Sequence, residues 1–254
     1  MKSTLPNSIL ASHLLPATCP RGGRVAQQVK SKRRVADHGE VFTNEREVNA
    51  MLDMVASECE RIESRFLEPA CGDGNFLAEV LRRKLSVVKK NYGKSALDYE
   101  RNAFLAVSSL YGVELLADNA AACRKRLFEL FSTEYTKVCK NRINVAFLDA
   151  IRTVVDRNIL CGNALSMKMV DAEQNDTDEP IIFSEWTLAM GGKVKRRDFR
   201  LDELLEGQRQ QMSLFGSSGS NTSEWEFDEE LQAYIPLPIR EFPLMDIYQI
   251  GAAA

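Results

Sequence analysis

Residues 66–77 hold the side chains whose types and spacing are most suggestive of chemistry. They read Phe-Leu-Glu-Pro-Ala-Cys-Gly-Asp-Gly-Asn-Phe-Leu, with an acid and a turn of small residues between two apolar ends. This order predicts a strand, a sharp loop and the start of a helix. Gly72 and Gly74 suit positive φ and leave no Cβ to block a ligand that approaches the backbone. The amides of the following helix would point at the same ligand, so the stretch predicts a binding loop.

Two further polar residues follow predicted strands. Glu114 ends the apolar stretch that begins at Leu110, and a carboxylate at that end of a strand can accept the hydroxyls of a ribose. The alternative for Glu114 is an acid that a helix dipole stabilises. Asn163 and Ala164 follow a third strand, where Asn163 is either a ligand contact or an ordinary turn residue after a glycine.

An aromatic residue and a hydroxyl precede the loop by about twenty-five residues. Phe42 and Thr43 stand before an amphipathic helix, and Asn44 with Glu47 predicts a capping box at its start. On chemistry alone, Phe42 could pack on a cofactor and Thr43 could hydrogen-bond a cofactor carboxylate. The alternative is an aromatic plug beside a helix cap.

A glycine-rich turn alone does not identify a ligand, because dinucleotide-binding folds use related turns. Here the whole string Glu-Pro-Ala-Cys-Gly-x-Gly-x-Phe, from Glu68 to Phe76, resembles the cofactor motif of amino-methylating DNA methyltransferases of restriction-modification systems. These enzymes use S-adenosylmethionine (SAM). The resemblance covers residues 35–170 and implies a Rossmann-like α/β methyltransferase fold, a mostly parallel sheet with flanking helices.

The resemblance also implies roles for individual residues. The loop would hold the cofactor, Glu114 would bind its ribose, Asn163 and Ala164 would lie at its adenine, and Phe42 and Thr43 at its methionine end. Members of the family carry Asp at the position of Asn163, and an amide still accepts a hydrogen bond but without charge. The loop residues concerned are Glu68, Pro69, Ala70, Cys71, Gly72, Gly74, Asn75 and Phe76.

The target-base motif of that family is absent from the chain. The family uses (Asn/Asp/Ser)-Pro-Pro-aromatic, in which acceptors bind the exocyclic amine of a flipped base and the aromatic ring stacks on it. No Pro-Pro pair occurs in the 254 residues. Ser184 and Trp186 stand where the motif should fall, as an acceptor and a stacker without the prolines. The catalytic residues therefore stay unassigned.

The resemblance implies a SAM-binding subunit of the adenine-N6 DNA methyltransferase type, in a restriction-modification or phage-defence system. Three explanations of the missing motif remain open. A companion methyltransferase or restriction subunit completes the active site, or the chain is an inactive structural or sensing subunit, or it methylates DNA through a different target motif. The expected partner is DNA, together with such a companion chain.

The net charge of −3 and a pI near 5.6 carry no global signature of a nucleic-acid binder, so DNA contact needs a local basic patch or a partner. One basic cluster could lie along phosphates, or be a solvated loop paired with neighbouring acids. A second run, on the helix after the loop, predicts a solvated helix face. The first cluster comprises Lys193, Lys195, Arg196, Arg197 and Arg200, and the second Arg82, Arg83, Lys84, Lys89 and Lys90.

Composition divides the chain into three parts. Residues 1–34 predict a basic disordered arm, with seven Lys or Arg and no acid, which could contact DNA through Lys30, Lys32, Arg33 and Arg34. A targeting peptide or a partner-docking tail are the alternatives. Residues 35–205 predict the methyltransferase-like domain. Residues 206–254 predict a linker and a C-terminal tail that docks on its own domain or on a partner.

Cysteine spacing and hydropathy bound the remaining classes. The six cysteines show no CxxC spacing, so neither a metal site nor a disulfide framework is expected. No apolar run approaches the roughly 18 residues needed to span a bilayer, so we expect a soluble, cytoplasmic protein without a membrane partner.

Overall fold

The structure is a computed structural model, and it describes residues 9–10, 30–38, 43–205, 225–228 and 233–253. Phe42, most of the predicted N-terminal arm and the predicted linker lie outside the described residues.

One six-stranded sheet organises the fold, and its strands lie side by side in sequence order. The first four strands are parallel, and the last two are antiparallel to their neighbours. The prediction of an α/β fold with mostly parallel strands and flanking helices is thus confirmed. The strands are β1 (Ile9–Leu10), β2 (Phe66–Glu68), β3 (Leu110–Glu114), β4 (Ile159–Asn163), β5 (Lys168–Val170) and β6 (Asp176–Pro180).

Residues 171–179 predict a surface loop, but half of this stretch belongs to β6. The strand is acidic and largely exposed because it forms the edge of the sheet. Charged side chains are tolerated on such an edge, since they face water and discourage pairing with other chains.

Four helices connect the parallel strands. Helices α4 and α5 join β2 to β3, and α6 and α7 join β3 to β4. Both connections run in the same direction along the sheet, so the right-handed crossover rule puts all four helices on one face. The helices are α1 (Lys32–His38), α2 (Glu45–Asp53), α3 (Ala56–Glu60), α4 (Asn75–Tyr92), α5 (Ala96–Ser108), α6 (Ala117–Cys139) and α7 (Val145–Asn158).

Side chains alternate between two apolar layers along β3. Leu110 belongs to the larger core between the sheet and the four helices, whereas Tyr111 and Val113 belong to a smaller cluster on the opposite face. This alternation is the two-residue period of a strand. The smaller cluster is completed by Ile181 and Phe183, so both faces of the sheet are covered.

A second sheet is built around strand β8 (Lys193–Arg200). Strand β7 (Ile182–Leu188) pairs with one edge of β8, and β11 (Arg240–Glu241) and β12 (Met245–Asp246) share the other edge. The apolar and aromatic residues at 181–186 predict a strand, and residues 182–186 do belong to β7. Strands β9 (Trp225–Asp228) and β10 (Ala233–Pro236) form a separate hairpin.

The C-terminal segment docks on the chain's own helices. Its 3-10 helix, Ile247–Ala252, buries Ile247 and Ile250 in the main core. The hydroxyl of Tyr248 donates to the buried Glu100 at 2.6 Å. Residues 240–252 therefore lie on the chain's own domain, through β11, β12 and the 3-10 helix.

Lys84 is fully buried, although the sequence predicts it on a solvated helix face. Its Nζ donates to the carbonyls of Ile62, at 2.9 Å, and Ser64, and to the Ser109 hydroxyl at 2.6 Å. The ammonium group thereby ties α4 to the segment before β2. Burial lowers the pKa of Lys84 to about 7, because desolvation of the ammonium group outweighs the opposing electrostatic effect of Cys59, Glu63 and Glu58.

We expect the free energy of unfolding to rise between about pH 7 and about pH 9 through Lys84. An unfolded lysine keeps its proton to about pH 10, so in this window the unfolded chain binds more protons than the folded one. The rise is at most about 1.4 kcal/mol per pH unit. Urea unfolding at both pH values should show that Lys84→Met loses this rise and that the exposed Lys137→Met keeps it. Equal slopes in Lys84→Met and the unmodified protein would contradict the assignment.

Candidate functional site

The predicted binding loop joins β2 to α4 at the carboxyl edge of the parallel strands. Gly72 and Gly74 have φ values of 53° and 87°, in the left-handed region that was expected for them. The Cys71 amide donates to the Val113 carbonyl at 3.0 Å, and the Gly74 amide to the Cys71 carbonyl at 2.9 Å. These bonds fix the loop against β3.

The start of α4 is open to a ligand. No side chain caps it, and its first turn contains no acid. The first amides of a helix lack partners within the helix and carry the positive end of its dipole. An anionic or polar ligand group is therefore favoured beside Asn75 and Phe76.

Glu114 lies at this loop, as the sequence predicts. It is 8 % exposed, and its Oε2 accepts the amide of Gly72 at 2.8 Å. Its Oε1 accepts the Leu116 amide at 3.0 Å and Asn119 Nδ2 at 3.3 Å. A carboxylate offers about four acceptor positions. Three are taken by described residues, which leaves Oε2 able to accept one more donor.

A polar network on the other side of the loop brings Thr43 to it. Asn75 Nδ2 donates to the Thr43 carbonyl at 3.3 Å, and the Asn75 amide oxygen accepts from Arg126. Arg126 also pairs with Asp73 at 2.6 Å. A cavity of about 350 Å³ borders this network and is lined by Glu45, Val48, Asn75, Ala78, Glu79, Arg82, Arg126 and Leu130. The sequence pattern does not predict a role for Arg126. This residue lies one turn after Cys123 on α6.

The basic cluster of the predicted arm contacts the first turn of α6, beside Glu114. Arg34 donates two hydrogen bonds to Asp118, at 2.7 and 2.9 Å, and Lys30 contacts both Asp118 and Asn119. The hydrogen bonds from Arg34 and Lys30 hold the pKa of Asp118 well below its usual range. Asn119 in turn donates to Glu114, so this cluster is linked to the candidate ribose ligand.

Removing the Asp118 carboxylate should loosen this segment. We expect Asp118→Ala to speed trypsin cleavage after Lys30, Arg33 and Arg34 several-fold, because ion pairs this exposed contribute up to about 1 kcal/mol. Cleavage sites are read by mass spectrometry at early times. The control is Asp156→Ala, which removes an exposed partner of Arg124 far along the chain and should leave cleavage unchanged. An unchanged rate in Asp118→Ala would show that these contacts do not hold the segment.

Asn163 lies at the same edge of the sheet but is engaged in its own turn. Glu114 is paired with Cys161 in register, two residues before Asn163. The Asn163 Oδ1 accepts the Leu165 amide at 3.0 Å, and its Nδ2 donates to Asp176 at 2.9 Å. These are the contacts of the turn interpretation, and Ala164 belongs to the same turn. An adenine amine would have to share the amide oxygen with Leu165.

Ser184 and Trp186 lie at the opposite end of the sheet from the loop. Ser184 contacts Asn158 and Tyr111, which stand at the amino ends of β4 and β3, and both Ser184 and Trp186 are buried. The loop stands at the carboxyl ends of the same strands. The idea that these two residues replace the target-base motif is therefore wrong, because a base at the loop cannot reach them.

Most of the basic cluster of β8 is paired with carboxylates. This agrees with the alternative prediction that the cluster pairs with neighbouring acids rather than lying along phosphates. Arg196 is 9 % exposed and is held by Asp198, so it is not placed to lie along phosphates. Lys193, by contrast, is exposed. The other three pairs are Lys195 with Glu241, Arg197 with Glu185, and Arg200 with Asp202.

The site is thus defined by the loop, Glu114 and the start of α4. Within the described residues, no group of three His, Cys, Asp or Glu side chains is placed to hold a metal ion. None of the described helices is both long and apolar enough to cross a membrane. No protein-family model, curated protein or solved structure matches the chain.

Proposed function

We propose that the chain binds SAM at the loop of residues 69–74 and serves as the cofactor-binding subunit of an adenine-N6 DNA methyltransferase, in a restriction-modification or phage-defence system. The observation that carries the proposal is the contact between Glu114 and the Gly72 amide. This contact brings an acceptor for ribose hydroxyls next to the glycine-rich turn. A bound SAM would place its ribose and the methionine group attached to that ribose there.

The residues present fit the functional groups of SAM. Glu114 Oε2 retains an acceptor position for a ribose hydroxyl, and the uncapped amides at the start of α4 suit a carboxylate. Bound SAM would supply an activated methyl group. The protein's part is to orient the cofactor, and Gly72 and Gly74 give the loop the positive φ values that its sharp turn requires.

The target base requires groups from elsewhere. Ser184 and Trp186, the only substitutes that the sequence offers, are buried at the far end of the sheet. A companion subunit that contributes an acceptor pair and a stacking aromatic is therefore part of the proposal. The alternative function, an inactive assembly subunit of the same kind of complex, is favoured by the absence of Pro-Pro from the sequence.

Calorimetric titration of the full chain with SAM tests cofactor binding. We expect binding in the micromolar range and its loss in Gly72→Leu, because a side chain at this φ of 53° strains the backbone and distorts the loop. Circular dichroism and thermal melting show whether the variant is folded. Absence of SAM binding by the unmodified chain would refute the proposal.

Transfer of tritium from labelled SAM to adenine-containing DNA tests the need for a companion. We expect label in DNA only when the chain is mixed with the products of neighbouring genes. Label incorporated by the isolated chain would overturn the split active site. SAM binding without incorporation in any mixture would favour the assembly role.

A further inference from the structure

Glu68 is a buried carboxyl group that the contacts described so far do not use. It is the last residue of β2 and is 6 % exposed, at the point where the strand enters the loop. No hydrogen bond from a described residue to its carboxylate is present. Burial alone raises the pKa of Glu68 to about 7, and no neighbouring cation opposes this shift.

Glu68 lies near the Cys71 thiol. Glu68 is paired in register with Gly112, and a Cβ on Gly112 would lie 3.0 Å from the Cys71 sulfur. The hydrogen bond to Cys123 and burial raise the pKa of Cys71 well above its usual value, and the nearby carboxylates of Glu114 and Glu68 raise it further.

The buried cation on the same face of β2, Lys84, is bonded to other groups. Lys84 stands over the ring of Phe66, with 5.1 Å between its Nζ and the ring centroid, and is bonded to carbonyls before the strand. It does not offset Glu68. A buried carboxylate without a partner is costly, and a cation brought by a ligand removes that cost.

We propose that Glu68 supplies the counter-charge for the sulfonium centre of the cofactor, so that the site selects the charged methyl donor over the neutral thioether left after transfer. This inference rests on the proposed function. When the methyl group leaves, the ligand loses its positive sulfur and Glu68 loses its partner. The same residue would therefore favour binding of the donor and release of the product.

The sign of the pH dependence follows from the protonation of Glu68. A cationic ligand binds the ionised carboxylate, and below about pH 7 a proton competes with it, so the affinity for SAM should fall as pH drops. The titratable group beside Glu68 is the Cys71 thiol, which interacts with it electrostatically, and no neighbouring charge contributes to the pKa shift of Glu68 itself. The neutral product, S-adenosylhomocysteine (SAH), should show a much weaker pH dependence, because it lacks the sulfonium charge.

The test compares SAM and SAH binding to the full chain and to Glu68→Gln by calorimetry at about pH 6 and about pH 8. At the higher pH we expect the unmodified chain to prefer SAM by at least about tenfold, and Glu68→Gln to reduce this preference to about twofold. The matched control, Glu114→Gln, should weaken both ligands by the same factor, since both carry the ribose. SAH affinity retained in Glu68→Gln shows that the variant is folded.

A measurement on the unmodified chain covers the case in which Glu68→Gln does not fold. Titration at about pH 7 in two buffers of different ionisation enthalpy should show proton release with SAM and much less with SAH. An unchanged preference in Glu68→Gln, or equal proton release with both ligands, would overturn the role of Glu68 and leave cofactor binding intact. Failure of the unmodified chain to bind either ligand would instead refute the proposed function.

Discussion

Gly74→Ala is expected to destabilise the protein by about 2–4 kcal/mol and to weaken SAM binding at least about tenfold. A Cβ on Gly74 would lie 2.7 Å from the Cys123 sulfur and 3.3 Å from the Cys123 Cα, in a closely packed part of the fold. The backbone there has a φ of 87°, which L side chains rarely adopt. Backbone strain at residue 74 and overlap of its Cβ with Cys123 therefore act together. Relieving either one would move the loop that should hold the cofactor.

The chain offers a matched control for the backbone strain. Gly191 has a similar φ of 75°, and a Cβ on it would meet no described atom within 4 Å. Gly191→Ala should lose only the conformational part, about 1 kcal/mol, and leave SAM binding unchanged. The free energy of unfolding in urea, measured for both variants, isolates the overlap with Cys123.

A double variant shows how much of the lost stability comes from overlap with the Cys123 sulfur. Adding Cys123→Ala to Gly74→Ala removes the sulfur at 2.7 Å but leaves backbone at 3.3 Å, so only part of the stability should return. Equal losses in Gly74→Ala and Gly191→Ala would show that overlap beneath the loop is unimportant.

The loop and Glu114 could be predicted because their signals are local. Apolar stretches that end in an acid or in a glycine-rich turn indicate strands, and parallel strands bring their carboxyl ends to one edge. The contact between Glu114 and the Gly72 amide follows from that geometry. The capping box at Asn44 is equally local, and the Asn44 side chain does accept the Glu47 amide at 3.0 Å.

The position of Ser184 and Trp186 could not be predicted, because it depends on the path of a long connection. After β4 the chain turns back through two antiparallel strands before β7 crosses the smaller apolar cluster. Sequence order places these residues after the third strand, where the family has its motif. The path carries them instead to the amino ends of the strands.

Strand β8 could not be predicted from the sequence, because two of its buried residues are charged. Val194, Arg196 and Asp198 alternate with more exposed neighbours, which is the period of a strand. A hydropathy pattern identifies such a period only when the inward side chains are apolar. The burial of Lys84 could not be predicted for the same reason. Its charge is typical of a surface residue, although the side chain is fully buried.

Asp198→Ala is expected to destabilise the protein by about 3–5 kcal/mol, the usual loss when one partner of a buried ion pair is removed. Asp198 is 6 % exposed and accepts two hydrogen bonds from Arg196, at 2.8 and 2.7 Å, and one from Ser184 at 2.8 Å. Without Asp198 the Arg196 guanidinium stays buried over the ring of Phe242 and has lost its counter-charge.

An exposed ion pair between β8 and β11 is the control for Asp198→Ala. Lys195 and Glu241 are bonded at 2.9 Å, but their side chains are 41 % and 49 % exposed, so Glu241→Ala should change the free energy of unfolding little. Urea unfolding of both variants and of Arg196→Met combined with Asp198→Leu completes the comparison. The double variant should recover most of the stability, because an apolar pair of similar size needs no counter-charge. A loss in Asp198→Ala no larger than in Glu241→Ala would mean that water reaches Arg196 and that the pair is not buried in solution.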